Sequence, residues 1–210
     1  MGRSLAALVT AFLFVACQSD THAVFSPVPS PSPHTQPTAA ILQSSDVPAG
    51  LSACQGSGPI DVYLAVLAGT DATLASRLTD QWLQMRTQGA TSGAISTFAA
   101  SPTACNAELG STANIKAISS FVARFANEGQ ADRVWQSGIF GFAPPPPGEL
   151  VPGLTRGTST GLGISSFTYD RPSVRLASWR RSVNVALVVV SNLDLNAFSV
   201  ATAAIDPRLN

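Results

Sequence analysis

The segment Val183–Ser191, VNVALVVVS, constrains the fold most, because as a strand it is apolar on both faces. Such a strand must lie centrally and be covered on both sides, since otherwise one apolar face would meet water. Two further strand-like segments, Ile164–Tyr169 and Val174–Trp179, precede it with only brief polar links. Links this short typically join antiparallel neighbours. The sequence therefore predicts antiparallel hairpins, with the last strand at the centre of the sheet.

Helical patterns precede these strands. Pro59–Ala68 starts with proline, which suits the first turn of a helix. Thr70–Gly89 is the clearest helix, because Thr70 or Asp71 can cap it and Gly89 can end it. Its apolar residues recur at spacings of four and three and predict one buried stripe. These residues are Leu74, Leu78, Trp82 and Met85.

Three shorter segments and a final helix complete the predicted elements. Ala94–Ala100 and Ile115–Ala126 are typical of strands, and Glu128–Gly138 of a short helix that ends at glycine. Asp194–Ile205 predicts a closing helix with Asp194 as its cap. Helices first, then hairpin strands, then a helix indicate the α+β class. We expect an antiparallel sheet with N-terminal helices and a C-terminal helix packed on it.

The first residues have the pattern of an export signal. Arg3 is followed by an uninterrupted apolar run, Leu5–Ala16. As a helix this run would reach about 18 Å, which is short of a bilayer core of about 30 Å. A charged start and a short apolar run are typical of a secretory signal peptide.

The end of this run, LFVACQ, resembles the lipobox of bacterial lipoproteins, in which a small residue precedes a cysteine that is diacylated and becomes the new N-terminus. Ala16 is the small residue and Cys17 the acceptor, while Phe14 stands where leucine is usual. The resemblance implies a signal peptide over residues 1–16 and a membrane attachment through a lipid on Cys17. The alternative is cleavage without lipidation, after Ala23.

The cysteine count agrees with this interpretation. The chain has three cysteines, Cys17, Cys54 and Cys105. An exported protein with an odd number leaves one thiol unexplained. A lipid on Cys17 leaves Cys54 and Cys105 as a pair, which an oxidising compartment would join as a disulfide. That bond would close a loop of about 50 residues and stabilise the fold by about 4 kcal/mol. Two buried free thiols are the alternative.

Proline occurs at every second or third position of Ser26–Pro37, SPVPSPSPHTQP. Such a segment cannot build a core and favours extended polyproline II, so we interpret it as a spacer. At about 3.1 Å per residue, residues 18–40 together would hold a domain up to roughly 70 Å from the membrane. A proline-rich ligand for a recognition module is the alternative. We therefore predict a lipidated N-terminus and tether over residues 17–40 and one α+β domain over residues 41–210.

Several kinds of chemistry lack their usual residues. Both histidines, His22 and His34, precede the domain, and Lys116 is the only lysine. Histidine-based nucleophilic catalysis and most zinc or copper sites are therefore not expected. The glycine-rich Gly157–Gly163 lacks the Gly-Lys-Ser/Thr ending of a phosphate-binding loop. With no formal net charge, the chain does not have the basic character of a nucleic-acid binder. We expect no catalytic residue, metal or cofactor.

A pair of carboxylates is the remaining enzymatic alternative. Asp170 with Asp194, or Glu149, could serve as acid and base in a glycoside hydrolase. The sequence cannot place them at the required separation.

Two segments are candidates for ligand binding. The segment SWRRS places Trp179, Arg180 and Arg181 at or near a hairpin tip, with Arg171 and Arg175 nearby. Arginine beside an aromatic ring can bind a carboxylate, a phosphate or a sugar face. The alternative is a set of exposed charges that protects the end of the hairpin.

The second candidate is the proline-rich loop Phe142–Gly153, FAPPPPGELVPG, which cannot be a central strand or a helix interior. Phe142 and this loop could form the wall of a pocket. A rigid cover over the sheet is the alternative.

The second half of the domain contains TGLGISSFTYD, VRLASWRRSVNVALVVVSNLD and AFSVATAAI. It is similar to an uncharacterised module on bacterial lipoproteins. More loosely, it resembles the extracellular sensor domain of mycobacterial serine/threonine kinases, which also ends with hydrophobic hairpin strands and a helix. Those sensors have more disulfides than the one expected here. The resemblance implies a ligand-sensing or binding fold and assigns no functional residue.

Taken together, the sequence predicts a non-catalytic, lipid-anchored protein of the cell envelope on the outer face of the cytoplasmic membrane. Without the lipid it would be periplasmic or secreted. We expect it to bind or sense a small molecule or an envelope component. The alternative is a structural adaptor or stability partner of another envelope protein, with no ligand of its own.

Overall fold

The structure is a computed structural model that describes residues 35–112 and 114–210. The helices are α1 (Pro37–Ala40), α2 (Ile60–Ala68), α3 (Ala72–Thr87), α4 (Pro102–Cys105), α5 (Glu128–Ser137) and α6 (Leu195–Ile205). The strands are β1 (Ser52–Ala53), β2 (Gly58–Pro59), β3 (Ala90–Ala99), β4 (Ala117–Phe125), β5 (Leu154–Arg156), β6 (Ser166–Asp170), β7 (Val174–Arg181) and β8 (Asn184–Ser191). Short 3-10 turns lie at Ser44–Asp46, Glu108–Gly110, Gly157–Thr160 and Asp206–Leu209.

All eight strands belong to one antiparallel sheet in the order β1-β3-β4-β8-β7-β6-β5, with β2 also paired to β3. The three strands β6, β7 and β8 form the two predicted hairpins. The helices α2 and α3 precede the long strands, and α6 follows them. The predicted α+β class, with an antiparallel sheet and a C-terminal helix, is confirmed.

Strand β8 is central, as its two apolar faces predict. It pairs with β4 on one side and with β7 on the other. Its odd-numbered residues Val185, Leu187 and Val189 contribute to a first core together with α2, α3 and α5. Its even-numbered residues face a second core, which is covered by α6 and by the segment 40–42. The sheet is therefore the middle of three layers.

Helix α3 packs on the sheet through the predicted stripe. The Asp71 side chain accepts a hydrogen bond from Leu74 N at 2.9 Å and so caps the helix. All four stripe residues are buried in the first core. A Cβ atom at Gly93 of β3 would lie 2.9 Å from Cη2 of Trp82, so glycine is required for this close approach.

The N- and C-terminal parts of the described chain meet on the opposite face. Asp194 caps α6 by accepting a hydrogen bond from Ala197 N at 2.8 Å. Beyond α6, Arg208 makes two hydrogen bonds to the Asp46 carboxylate, at 2.7 and 2.9 Å. The Asn184 side chain donates to Leu209 O at 2.8 Å. These contacts fix the last turn against the sheet.

Strand β3 extends further toward its N-terminus than predicted, back to Ala90. Its first residues, Ala-Thr-Ser-Gly, lack the apolar alternation that indicates a strand. Gly89, with φ of 106°, turns the chain directly from α3 into β3. Pairing with β4 then holds these residues extended.

Packing against the sheet begins at α1, in which Pro37 and Ala40 are buried. The predicted signal peptide, the lipidation site Cys17 and the tether up to residue 34 lie outside the described residues. None of the helices in the described ranges combines the length and hydrophobicity needed to cross a bilayer.

Candidate functional site

The structure does not bring Trp179, Arg180 and Arg181 together on one surface. They are consecutive residues of β7, so their side chains alternate between the two faces of the sheet. Trp179, a candidate ligand-binding residue in the sequence, is fully buried in the second core, so its indole is not available to a ligand at the surface. The reason is that β7 continues to Arg181, and Trp179 pairs with Ser166 and Ala186 on both sides.

The two arginines bind carboxylates of the protein on opposite faces. Arg181 Nε and Nη2 each donate to the Asp206 carboxylate at 2.7 Å, and these bonds raise the pKa of Arg181. Arg180 lies 3.3 Å from Asp132 and 3.7 Å from Glu128, both on α5. Their charged groups therefore stabilise contacts between elements.

The other two predicted binding residues are also engaged in internal contacts. Arg175 Nε lies 2.7 Å from Asp170 Oδ1. Phe142 is half-buried and packs against the first core. A cleft of about 500 Å³ does lie at the end of the proline-rich loop, along residues 148–152, but Phe142 is not part of its lining.

The carboxylates that a glycoside hydrolase would need are already in use or exposed. Asp170 is paired with Arg175, and Asp194 caps α6. Glu149 is exposed on the proline-rich loop. Among the described residues, no three or more His, Cys, Asp or Glu side chains come together in a way that could hold a metal ion.

Cys54 and Cys105 form a disulfide, with a distance of 5.5 Å between their Cα atoms. The predicted pairing is confirmed. The bond connects the end of β1 to α4. Cys54 is buried in a small cluster with three alanines, Ala99, Ala104 and Ala117.

Beside this disulfide lies a cleft of about 470 Å³ between α2, the end of β3 and α4. Tyr63, Val66 and Leu67, spaced three and four residues apart, present one face of α2 to it. Residues 52–55 and 99–102 provide much of the remaining lining. The complete lining is Ser52, Ala53, Cys54, Gln55, Tyr63, Val66, Leu67, Thr70, Ala99, Ala100, Ser101, Pro102, Cys105 and Asn106.

A tight turn after Cys54 packs against α2 and forms one side of the cleft. At Gly56, φ is 84° and an added Cβ would lie 3.1 Å from Cβ of Val66, so both the conformation and the space favour glycine. The Ser57 hydroxyl donates to Cys54 O at 3.0 Å and accepts from Thr97 N at 3.2 Å. The turn is therefore held against both the helix and β3.

Tyr63 lines the cleft but does not offer its hydroxyl to a ligand. The residue is only 2% exposed, and the hydroxyl is buried beside Thr97 without a hydrogen bond of good geometry to any described residue. Burial raises the pKa of this phenol, because ionisation in a desolvated site is unfavourable. A ligand in the cleft would therefore contact Tyr63 as a neutral side chain.

One ion pair lies close to Tyr63. Arg77 Nη1 and Nη2 donate to the two carboxylate oxygens of Glu108, each at 2.7 Å. These hydrogen bonds raise the pKa of Arg77. Glu108 adds a smaller upward shift to the pKa of Tyr63 through its negative charge.

Sequence reasoning missed this cleft. The spacing of Tyr63, Val66 and Leu67 could have identified a shared helix face, and the cysteine pair could have placed residue 54 next to residue 105. Neither pattern predicts that this helix face and the disulfide lie side by side, because their relative position depends on how α2 crosses the end of β3.

Comparisons with known proteins do not extend these observations, and the predicted resemblance to lipoprotein modules and kinase sensor domains stays a prediction. The chain matches no protein-family model, no curated protein and no solved structure.

Proposed function

We propose that this protein is a lipid-anchored, extracytoplasmic envelope protein whose α+β domain binds a small molecule or envelope component without chemical conversion. The observation that carries the proposal is the cleft of about 470 Å³ beside the Cys54–Cys105 disulfide. Its size is within the range of about 300–1,000 Å³ for small-molecule sites.

The disulfide supports the location outside the cytoplasm. Such bonds persist in oxidising compartments and are rare where thiols are kept reduced. The lipobox-like sequence around Cys17 and the proline-rich tether would then hold the domain away from the membrane surface. With the lipid on Cys17, each of the three cysteines has a role.

The lining of the cleft supports binding rather than catalysis. Its two cysteines are joined to each other, so neither provides a thiolate nucleophile. Its remaining ionisable side chain is Tyr63, whose pKa is raised and whose hydroxyl is buried away from the cleft. General acid–base catalysis needs a group that can reach the substrate proton.

A thermal-shift screen of small molecules with a variant of the cleft tests the binding function. A ligand specific to the folded protein raises the melting temperature by mass action. Thr70 is exposed at the edge of the cleft, so Thr70→Trp should fill part of it and abolish the shift.

Thr87→Trp is the matched control. Like Thr70, Thr87 is exposed, and its hydroxyl donates to the carbonyl three residues earlier, but Thr87 does not line the cleft. Binding at the cleft predicts that Thr87→Trp retains the shift. A shift that survives Thr70→Trp unchanged, or no stabilising compound at all, would contradict ligand binding at this cleft.

The membrane anchor is tested separately by detergent phase partition of wild type and Cys17→Ser. Lipidation predicts that wild type enters the detergent phase and that the variant stays in the aqueous phase. Wild type in the aqueous phase would contradict the anchor. If no ligand is found and a partner protein is purified equally well with wild type and Thr70→Trp, the structural adaptor is the better description.

A further inference from the structure

We infer that the cleft beside the Cys54–Cys105 disulfide selects uncharged, amphipathic molecules and rejects anions and cations of the same size. The inference rests on the proposed binding function and names the ligand class of the same site. It follows from the charge, the polarity and the arrangement of the lining residues.

The described residues of the cleft offer no charged partner to an ion. None of the lining residues in the described part of the chain is Asp, Glu, Lys, Arg or His, and the two cysteines are oxidised. Tyr63 is a neutral phenol at pH 7, and burial raises its pKa further above the ordinary value of 10.0. An ion that enters such a site loses part of its hydration and gains no compensating charge, which is unfavourable for either sign.

The ion pair near Tyr63 leaves no free charge for such a ligand. Arg77 and Glu108 make a bidentate pair at 2.7 Å, so each neutralises the other.

The distribution of polar groups indicates an amphipathic ligand. Val66 is half-buried and lines the α2 side of the cleft, with the buried Tyr63 and Leu67 beneath it. Gln55 and Asn106 are exposed at its border, and each amide has both donors and acceptors. A ligand with an apolar face and one or two neutral polar groups at its edge matches both parts.

The test uses three probes of nearly equal size, benzyl alcohol, benzoate and benzylammonium. Each is titrated at pH 7 into the ¹⁵N-labelled protein, and affinities are obtained from amide shifts of residues that line the cleft. We expect benzyl alcohol to bind at least about tenfold more tightly than either ion. Equal or tighter binding of an ion at the same amides would overturn the inference.

Two isosteric substitutions test whether the lining sets this selectivity. Gln55→Glu places a carboxylate at the border of the cleft and should raise the affinity for benzylammonium several-fold while weakening benzoate binding. Asn106→Asp, which follows the other cysteine of the disulfide, should act in the same direction. Gln84→Glu, an exposed position on α3 outside this cleft, is the matched control and should change neither affinity.

The outcomes separate this inference from the proposed function. If no probe shifts the cleft amides, both the binding function and the ligand class are contradicted. If probes bind without regard to charge, or Gln55→Glu and Asn106→Asp leave the order of affinities unchanged, only the ligand class is wrong. Preference for the neutral probe with both substitutions acting as described supports it.

Discussion

Pairs of arginine and carboxylate join segments that are far apart in the chain. Arg208, near the end of the described chain, binds Asp46 near its start. Arg77 binds Glu108 with the same two-bond geometry. Exposed ion pairs contribute little to stability, but a bidentate pair with one well-covered partner contributes more. The Asp46 side chain is only 10% exposed, so we expect the Arg208–Asp46 pair to stabilise the fold more than the Arg77–Glu108 pair.

Asp46 gives a prediction about acid stability. Hydrogen bonds from Arg208 lower its pKa below the ordinary value of 3.8. The stabilisation is therefore complete above the unfolded pKa, and it is lost as pH falls through the lower folded pKa. Asp46→Asn should reduce the free energy of unfolding at pH 7 by about 1–2 kcal/mol. Urea unfolding at pH 7, 5 and 3 measures this, and the variant should lose less stability than wild type between pH 5 and 3.

Asp80→Asn is the control for this prediction, because Asp80 is an exposed carboxylate of α3 without an ion pair among the described residues. It should behave like wild type at all three pH values. An identical acid dependence in Asp46→Asn and wild type would contradict the role of the Arg208 pair.

At the scale of elements, the contact between α3 and β3 depends on a missing side chain. Trp82 lies directly over Gly93, where an added Cβ would be 2.9 Å from Cη2 and 3.1 Å from Cζ3 of the indole. The indole Nε1 also donates to Asp61 Oδ1 of α2 at 3.2 Å, which limits how far it can move. The position of α3 on the sheet therefore requires glycine at residue 93.

The same substitution at two glycines should have opposite effects. Gly93→Ala should lower the free energy of unfolding by about 1–3 kcal/mol, because Trp82 must shift or the strand must bend. Gly129→Ala in α5 should be neutral or stabilise the protein by about 0.5–1 kcal/mol, since an added Cβ atom there would come no closer than 3.5 Å to its nearest neighbour. Equilibrium urea unfolding of both variants measures these changes in the free energy of unfolding. If Gly93→Ala leaves this free energy unchanged, the tight packing of Trp82 on residue 93 is contradicted.

Elements could be predicted from the sequence where their periodicity was local. The stripe of α3 and the doubly apolar β8 are examples, and both were placed correctly because burial follows from spacing along one element. The surface around Trp179 could not be predicted, because the length of β7 and its partners decide whether the indole is exposed. The cleft forms where α2 and α4, about 40 residues apart in the chain, come together, so its position could not be predicted from the sequence either.

At the scale of the whole molecule, the disulfide encloses the segment that contains α2, α3 and β3. Helices α2 and α3 contribute most of the helical layer that covers the first core, and β3 lies toward one edge of the sheet. With a sequence separation of 51 residues, the bond restricts the unfolded chain strongly, by about 4 kcal/mol in the chain-entropy model. The same bond holds α4 beside β1 and so maintains one side of the cleft.

Removal of this bond should therefore affect both stability and binding. The double variant Cys54→Ala/Cys105→Ala should lose about 2–4 kcal/mol of unfolding free energy, and its melting temperature should fall by roughly 5–15 °C. Calorimetry measures this, and the amide-shift titration with benzyl alcohol should show weaker binding at temperatures where the variant is folded. Cys17→Ser replaces the cysteine that lies outside the disulfide loop and should leave the melting temperature unchanged. A double variant that melts at the same temperature as wild type would contradict the stabilising role of the disulfide.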